Sequence, residues 1–480
     1  MNTAKYALFE DAYFNQLRAR EYGRLNKTGQ VYLDYTGANL YPESLPANHI
    51  AQMQQCVFGN PHSVNPSSQL SSDGIEAARE AVLQYFNATD YCCIFTANAT
   101  AALQIIGESY PFDEESCLLL CADNHNSVNG IREYCSVKGG TVSYAPLHAA
   151  QLTIDEVVLE EKLKASQKRS HKLFAYPAQS NASGIQHSLS WVNRAQELGW
   201  DVLLDAAAFV PANSLDLQQV QPDYVSLSFY KIFGYPTGVG ALLVRKSAFG
   251  KLQKRWFAGG TVAVAGIGYR DHLLLNEHHR FENGTVNFLH IPAVKNGLRF
   301  IKQTGIHKIH ERVKSLVEFL IPALQSLRHN TGQPLIKVYG PDTTEHRGGT
   351  IMLNFFDMNG ERFPLEWIEQ LAGEAMISLR TGCFCNPGVD EANHQLSSGE
   401  LFAYFSCKRA GLDALLDFPE QKRGAVRLSL GIASTAADLQ RLLAFARCLL
   451  NCSAPKTAAI REHKTVNPLL LHHLMPFLPT

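Results

Sequence analysis

Short apolar runs bounded by small or polar residues alternate with helical periodicity over the first part of the chain, which is the pattern of a βαβ architecture. Strands are predicted at Tyr91–Phe95, Cys117–Cys121, Lys172–Tyr176, Asp201–Leu204, Tyr224–Ser228 and Gly240–Val244. Their successive apolar positions demand cover on both faces, as for central strands of a largely parallel sheet clad in helices. Helical stretches such as Gly74–Phe86 and Ser190–Leu198 fall between them. From about residue 293 the pattern changes. Long amphipathic stretches (Ala293–Thr304, Ile309–Leu327, Ala437–Leu450) surround isolated strands at Thr350–Phe355 and Val426–Leu430, the texture of an α+β lobe. Gly332–Arg347 is predicted to be mostly loop, and the residues after Cys452 a loosely attached tail.

Composition narrows the function classes. The 480 residues carry 43 basic and 44 acidic side chains, a formal net charge of -1. No positive excess exists to neutralise a phosphate backbone, so nucleic acid is not the expected partner. At 46% apolar and 18% charged, the chain has ample material for a large core. The N-terminal residues lack the apolar stretch of a signal peptide. No run reaches the ~18 apolar residues that mark a membrane span. The 11 cysteines are odd in number and scattered, which fits a reduced, cytoplasmic protein better than a disulfide framework.

The chemistry concentrates at predicted strand ends, where α/β sheets bind ligands. Asp205 follows the strand DVLL, and Lys231 follows YVSLSFY directly before the glycine-rich turn IFGYPTGVGA. A lysine amine can hold an aldehyde cofactor covalently, and a carboxylate can keep a pyridine nitrogen protonated; together they suit pyridoxal phosphate. Taken singly, the two residues read as a helix cap and a solvated surface lysine. The segment Thr96–Thr100 precedes an apolar helix, with Thr100 as the expected N-cap and the first free N–H groups as a phosphate cup. His125, after CLLLCA, is placed to stack on a ring or to be a partly buried histidine. Asn181, after LFAY, offers an amide or a plain turn.

With these residues in place, the chain resembles the class V aminotransferase family of fold-type I pyridoxal phosphate enzymes, and within it the cysteine desulfurases. The forms YLDYTGANLYP, DAAAFVPANSLDL, SFYKIFGYPTGVGALLV, FENGTV, RTGCFCNPG and GAVRLSLGIAST are most similar to the N-terminal desulfurase-like domain of molybdenum cofactor sulfurases. The resemblance implies a large cofactor-binding domain over 46–292, with a mostly parallel sheet covered by helices. It also implies an N-terminal segment 1–45 packing on a smaller α+β domain over 293–452, and a tail over 453–480. Lys231 becomes the Schiff-base lysine, Asp205 the pyridinium partner, His125 the ring-stacking residue and Asn181 a contact of the ring hydroxyl. Ala99, Thr100, Ser228 and Tyr230 match phosphate-binding positions. Gly284 and Thr285 match a pair that reaches the phosphate of a neighbouring subunit, which implies a homodimer. One departure is Ala208, where desulfurases commonly carry glutamine.

The second centre is Arg380-Thr-Gly-Cys383-Phe-Cys385-Asn-Pro-Gly. By itself C-x-C is poor support for zinc, because two further ligands at fitting spacing are missing. The resemblance makes Cys385 the nucleophile, for which a polarisable thiolate is suited, and leaves Cys383 without a set role. Arg427, otherwise a strand arginine in an ion pair, matches the residue that holds a substrate α-carboxylate, with Arg380 supporting it. No metal is expected. The implied reaction takes L-cysteine to L-alanine and a persulfide on Cys385; the alternative is a class V aminotransferase or lyase without persulfide chemistry. Full-length sulfurases carry a further C-terminal domain for which the residues after 452 leave no room, so the sulfur acceptor is expected on a separate protein.

Overall fold

The structure is a computed structural model that describes residues 12–166, 169–409 and 423–455. The main sheet has seven strands: β1 (Tyr91–Thr96), β2 (Cys117–Cys121), β3 (Thr141–Ala145), β4 (Lys172–Pro177), β5 (Asp201–Asp205), β6 (Tyr224–Ser228) and β7 (Gly240–Arg245). Their spatial order is β1-β7-β6-β5-β4-β2-β3. Strands β6, β5, β4, β2 and β3 run parallel, whereas β7 is antiparallel to both β6 and β1. A parallel return needs a crossover of roughly a dozen residues or more, and the turn after β6 is too short for one. The six expected strands are present to within a residue. Strand β3 went unnoticed because it is an edge strand that is exposed at Thr141 and only half-buried over its next three residues.

The alternation along each strand explains the apolar runs. In β2, Cys117, Leu119 and Cys121 face one core while Leu118 and Leu120 face the other. The second core is closed by the helices Ala99–Ser109 and Ile131–Val137, through Leu103, Ile106 and Ile131. Each such fully buried leucine contributes about 1.5–3 kcal/mol.

A smaller antiparallel sheet follows: β8 (Ile336–Tyr339), β9 (Thr350–Phe355), β10 (Arg380–Gly382) and β11 (Ala425–Ser429), in the order β8-β9-β11-β10. The amphipathic helices Ile306–Gln325, Leu365–Glu374 and Ala436–Cys448 bury their apolar residues in the core that includes it. Gly332–Arg347 is mostly loop, as expected, but the short strand β8 lies inside it and pairs along β9. One expectation is corrected. The helix expected from Gly74 begins at Pro66, since Asn65 caps it by accepting from Ser68 N at 3.0 Å and proline fits a first turn. Residues beyond 455, including nearly all of the expected tail, lie outside the described residues.

The N-terminal stretch ties the two sheets together. Arg18, on the helix Ala12–Glu21, pairs with Asp438 at 2.6 Å. Val31–Tyr32 then pairs with Ile377–Ser378, and Asn39 Nδ2 donates to Ile232 O at 2.7 Å beside Lys231. Among the described residues, no helix is long and apolar enough to cross a membrane.

Candidate active site

Four strand ends converge. Asp205 ends β5, Lys231 lies in the one-turn helix Phe229–Phe233 after β6, His125 follows β2, and Asn181 follows β4. All four line a cavity of about 320 Å³, a size that suits a cofactor. Ala99, Thr100, Ser228 and Tyr230 line it as well. The Asp205 carboxylate accepts from Ser226 Oγ at 2.9 Å and from Ala207 N at 3.1 Å, which fixes its direction. Burial holds Lys231 below its ordinary range, against the opposing pull of Asp205, and so favours the neutral amine. Burial likewise lowers His125. Its Nδ1 accepts from Ser127 N at 3.1 Å, so the proton of the neutral ring belongs on Nε2.

The opposite end of the cavity is built around the start of the helix Ala99–Ser109. Here the Thr100 cap is corrected: Asn98 is the N-cap, with extended backbone, and its side chain accepts from Ala101 N at 3.0 Å. A cap needs non-helical backbone and an oxygen reaching two or three residues ahead. Thr100 already lies within the helix, and its hydroxyl pairs with Ser127 Oγ at 2.8 Å. Ala99 N donates to Ser228 Oγ at 2.9 Å, joining the helix start to the end of β6. Gly240 permits that closeness, since a Cβ there would sit 2.6 Å from Asn98 Cα. Thr237 and Gly238 of the glycine-rich turn complete this end. Burial raises the Tyr230 phenol, keeping it protonated. At Ala208, Gln179 supplies an amide from the neighbouring strand end, donating to Ala208 O at 3.0 Å; both residues line the cavity.

Gly284 and Thr285 are not brought to this cavity. Thr285 lines a second cavity of about 330 Å³, which shares Ala97 and Gly238 with the first. Gly284 N donates to Gly259 O at 2.8 Å.

The cysteine segment opens as strand β10 and runs into the helix Pro387–His394. Between them, Phe384 and Cys385 take φ of 56° and 54°, left-handed positions that cost non-glycine residues about 1–3 kcal/mol each. Cys385 is exposed, and its carbonyl accepts from Asn126 N, next to His125, at 2.7 Å. Cys383 instead donates to Asp390 Oδ2 at 3.4 Å; burial and that carboxylate push its thiol up to about 11. Among the residues whose side chains are described, ten cysteines are free. Asn181 spans both centres, because its Nδ2 donates to Phe384 O at 2.7 Å and its carbonyl accepts from Arg427 at 2.8 Å.

Both expected substrate arginines meet Asp34, a residue that sequence reasoning passed over although it stands in the YLDYTG motif. Arg380 pairs with it at 2.7 Å and Arg427 at 2.8 Å. Two guanidiniums therefore share one carboxylate, and Arg427 Nε is buried without a partner. That surplus of positive charge suits a ligand carboxylate. Elsewhere His278, His279 and Glu282 have ligand atoms within 4.8 Å of one another. The Arg79 guanidinium already holds Glu282 at 2.8 Å, so a cation is in place there.

The family profile described as Aminotransferase class-V matches residues 31–442. The chain is 37% identical over 470 residues to the molybdenum cofactor sulfurase of Arabidopsis thaliana, covering 90% of the chain and 57% of that relative. It is 36% identical over 455 residues to the molybdenum cofactor sulfurase of Bos taurus, covering 90% and 51%. The chain thus spans little more than half the length of these curated relatives. Among solved structures, the apo cysteine desulfurase from Thermococcus onnurineus NA1 superposes with a TM-score of 0.76 at 20% identity, covering 91% of this chain and 98% of that one. The fold is therefore that of the cysteine desulfurases, and the chain belongs to the class-V aminotransferase family.

Proposed function

We propose that the protein is a pyridoxal phosphate-dependent cysteine desulfurase that moves the sulfur of L-cysteine onto Cys385 and releases L-alanine. One observation carries this reading: a single cavity gathers Lys231, Asp205 and His125 around a helix N-terminus, with the exposed Cys385 hydrogen-bonded to the residue beside His125. The donor set fits the cofactor. Lys231 would hold it through Nζ, Asp205 would face its pyridine nitrogen, His125 would stack on its ring and Asn181 would meet its hydroxyl. The end built by Ala99, Thr100, Ser228 and Tyr230 would take its phosphate.

When bound, the cofactor supplies an aldehyde for the substrate amine and an electron sink for the α-carbon. Lys231, favoured in its neutral form, accepts the α-proton at Nζ. Arg427, backed by Arg380, orients the substrate by its carboxylate. Cys385 attacks the substrate sulfur as a thiolate: a sulfur–sulfur bond forms, the carbon–sulfur bond breaks, and the alanine carbon takes a proton. His125 Nε2–H is a donor for that last transfer. Asp390 keeps Cys383 protonated and out of the chemistry.

The protein works as a homodimer in this reading. The hairpin Val262–Ala265 and His272–Leu274 exposes Val264, Ile267, Tyr269 and Leu273, an apolar face that a second copy would cover. The same contact would bring Gly284 and Thr285 to the partner's phosphate site. In this reading the chain divides into a cofactor domain over 46–292 and a smaller domain over 293–452, a division that the two separate sheets support. Free cysteines and a reactive exposed thiol fit a reducing cytoplasm. The persulfide sulfur passes on to an acceptor, and the relatives' names connect that destination with molybdenum cofactor.

Incubation with pyridoxal phosphate and L-cysteine tests the reading. Wild type is expected to form alanine in step with sulfur transfer, and Cys385→Ala to form none. Undiminished alanine from Cys385→Ala would favour a lyase without persulfide chemistry.

A further inference from the structure

Phe384 stands between the two chemical centres. Its ring lies over the Arg427 guanidinium, with Cζ 4.9 Å from the ring centroid. Its carbonyl accepts from Asn181 Nδ2 at 2.7 Å, and one residue on the Cys385 carbonyl accepts from Asn126 N at 2.7 Å. Both residues hold a left-handed φ, 56° and 54°, which a Cβ disfavours. The backbone stays there because its surroundings over-determine it. Arg427 itself is committed only in part. Its terminal nitrogens donate to Asn181 O and Asp34 Oδ1 at 2.8 Å each, while Nε is buried with no partner.

We propose that Phe384 is a carboxylate-released latch, which keeps Cys385 parked against Asn126 until a carboxylate reaches Arg427, displaces the ring and frees the loop. This rests on the reading of Arg427 as the carboxylate site. The two contacts compete for one guanidinium, and a charge-assisted carboxylate pair is stronger than a ring–cation contact. A ligand shifts an equilibrium only by its differential affinity for the two states. Here the difference lies at the N–H edge: with the ring packed on the guanidinium Arg427 Nε is buried, and with the ring gone that edge is open to a carboxylate. Once the ring leaves, the strained stretch keeps the hydrogen bonds from Asn181 and Asn126 and the Asn386 N to Cys383 O turn at 3.0 Å, and it then relaxes and carries the thiol with it. The nucleophile is thereby released by the seated amino acid rather than by chance opening.

The test follows amide hydrogen exchange over the peptides carrying Asn126 and Phe384–Cys385 in the pyridoxal phosphate-loaded protein, read by mass spectrometry, since the Asn126 N to Cys385 O bond opens with the latch. The probe is propionate, a carboxylate with no amine to engage the cofactor and no sulfur to transfer; propionamide is its neutral control. Saturating propionate is expected to speed amide exchange there roughly tenfold, the factor set by removing a desolvated ring–cation contact, and propionamide to leave it unchanged. Phe384→Ala should exchange fast without propionate and respond to it little. Phe384→Leu, which keeps the bulk and loses the ring, should show a raised basal rate and a reduced response, so a folding failure of the alanine variant does not end the test. Equal wild-type rates with and without propionate, or a full response in Phe384→Leu, would overturn the latch. Alanine formation from L-cysteine in the same preparations keeps the two readings apart. Alanine with no propionate effect sinks the latch alone; a propionate effect without alanine sinks the desulfurase reading and leaves the latch standing.

Discussion

Cys383 and Cys385 are separated by one residue and meet different surroundings. The first is half-buried against Asp390, and burial together with that carboxylate pushes it up to about 11; the second is exposed. Since the thiolate is the reactive form, limiting iodoacetamide at pH 7.5 should label Cys385 well before Cys383, as peptide mass spectrometry would show. A second expectation concerns His125. Burial holds it below its ordinary value of 6.5, so between the two values the unfolded chain binds a proton that the folded chain refuses. Stability then falls as pH drops through that window. His125→Asn should therefore lose less stability than wild type between pH 7 and pH 5, measured as urea midpoints; equal losses would contradict the assignment. Asp34 gives a third expectation. Removing it leaves the Arg427 guanidinium, with its side chain 4% exposed, without its carboxylate. Breaking a buried pair in this way costs about 3–5 kcal/mol, so Asp34→Ala should be strongly destabilised in urea.

At the scale of elements, the strands apolar on both faces were legible because their cover is two-sided. Leu119 shows the consequence: it is fully buried in the middle of β2, and Leu119→Ala should cost about 2–5 kcal/mol in denaturant unfolding. Edge strands were not legible. β3 and β8 each pair on one side and carry exposed or half-buried positions, so neither gives a continuous apolar run. The helix after β1 was anticipated, but its start was read at Ala101 with Thr100 as the cap, whereas it begins at Ala99 and Asn98 caps it. Threonine and asparagine are both good caps, and only backbone geometry separates them. The cysteine segment carries no strand periodicity, and Arg380–Gly382 joins β11 through backbone pairing that side-chain pattern does not reveal.

Over the whole molecule, the site was legible wherever a motif sits at a strand end, as Asp205, Lys231, His125 and Asn181 do. What escaped were the long-range pairings. Asp34 lies 346 residues from Arg380 and 393 from Arg427, and no local pattern announces such contacts. The role of Phe384 likewise depends on a ring meeting a guanidinium from another strand. Assembly belongs to this scale too. If the hairpin around Ile267 and Tyr269 is the dimer contact, replacing both by glutamate should yield monomers by sedimentation and weaken cofactor retention, since Thr285 would no longer reach a neighbour. The central step is the arrival of sulfur from L-cysteine on Cys385. The direct measurement is intact-peptide mass spectrometry of the pyridoxal phosphate-loaded protein after a single turnover with L-cysteine. The peptide carrying Cys385 should gain the mass of one sulfur atom, removable by a reducing agent, with alanine formed alongside. Alanine without that gain, or the gain on any other cysteine, would contradict it.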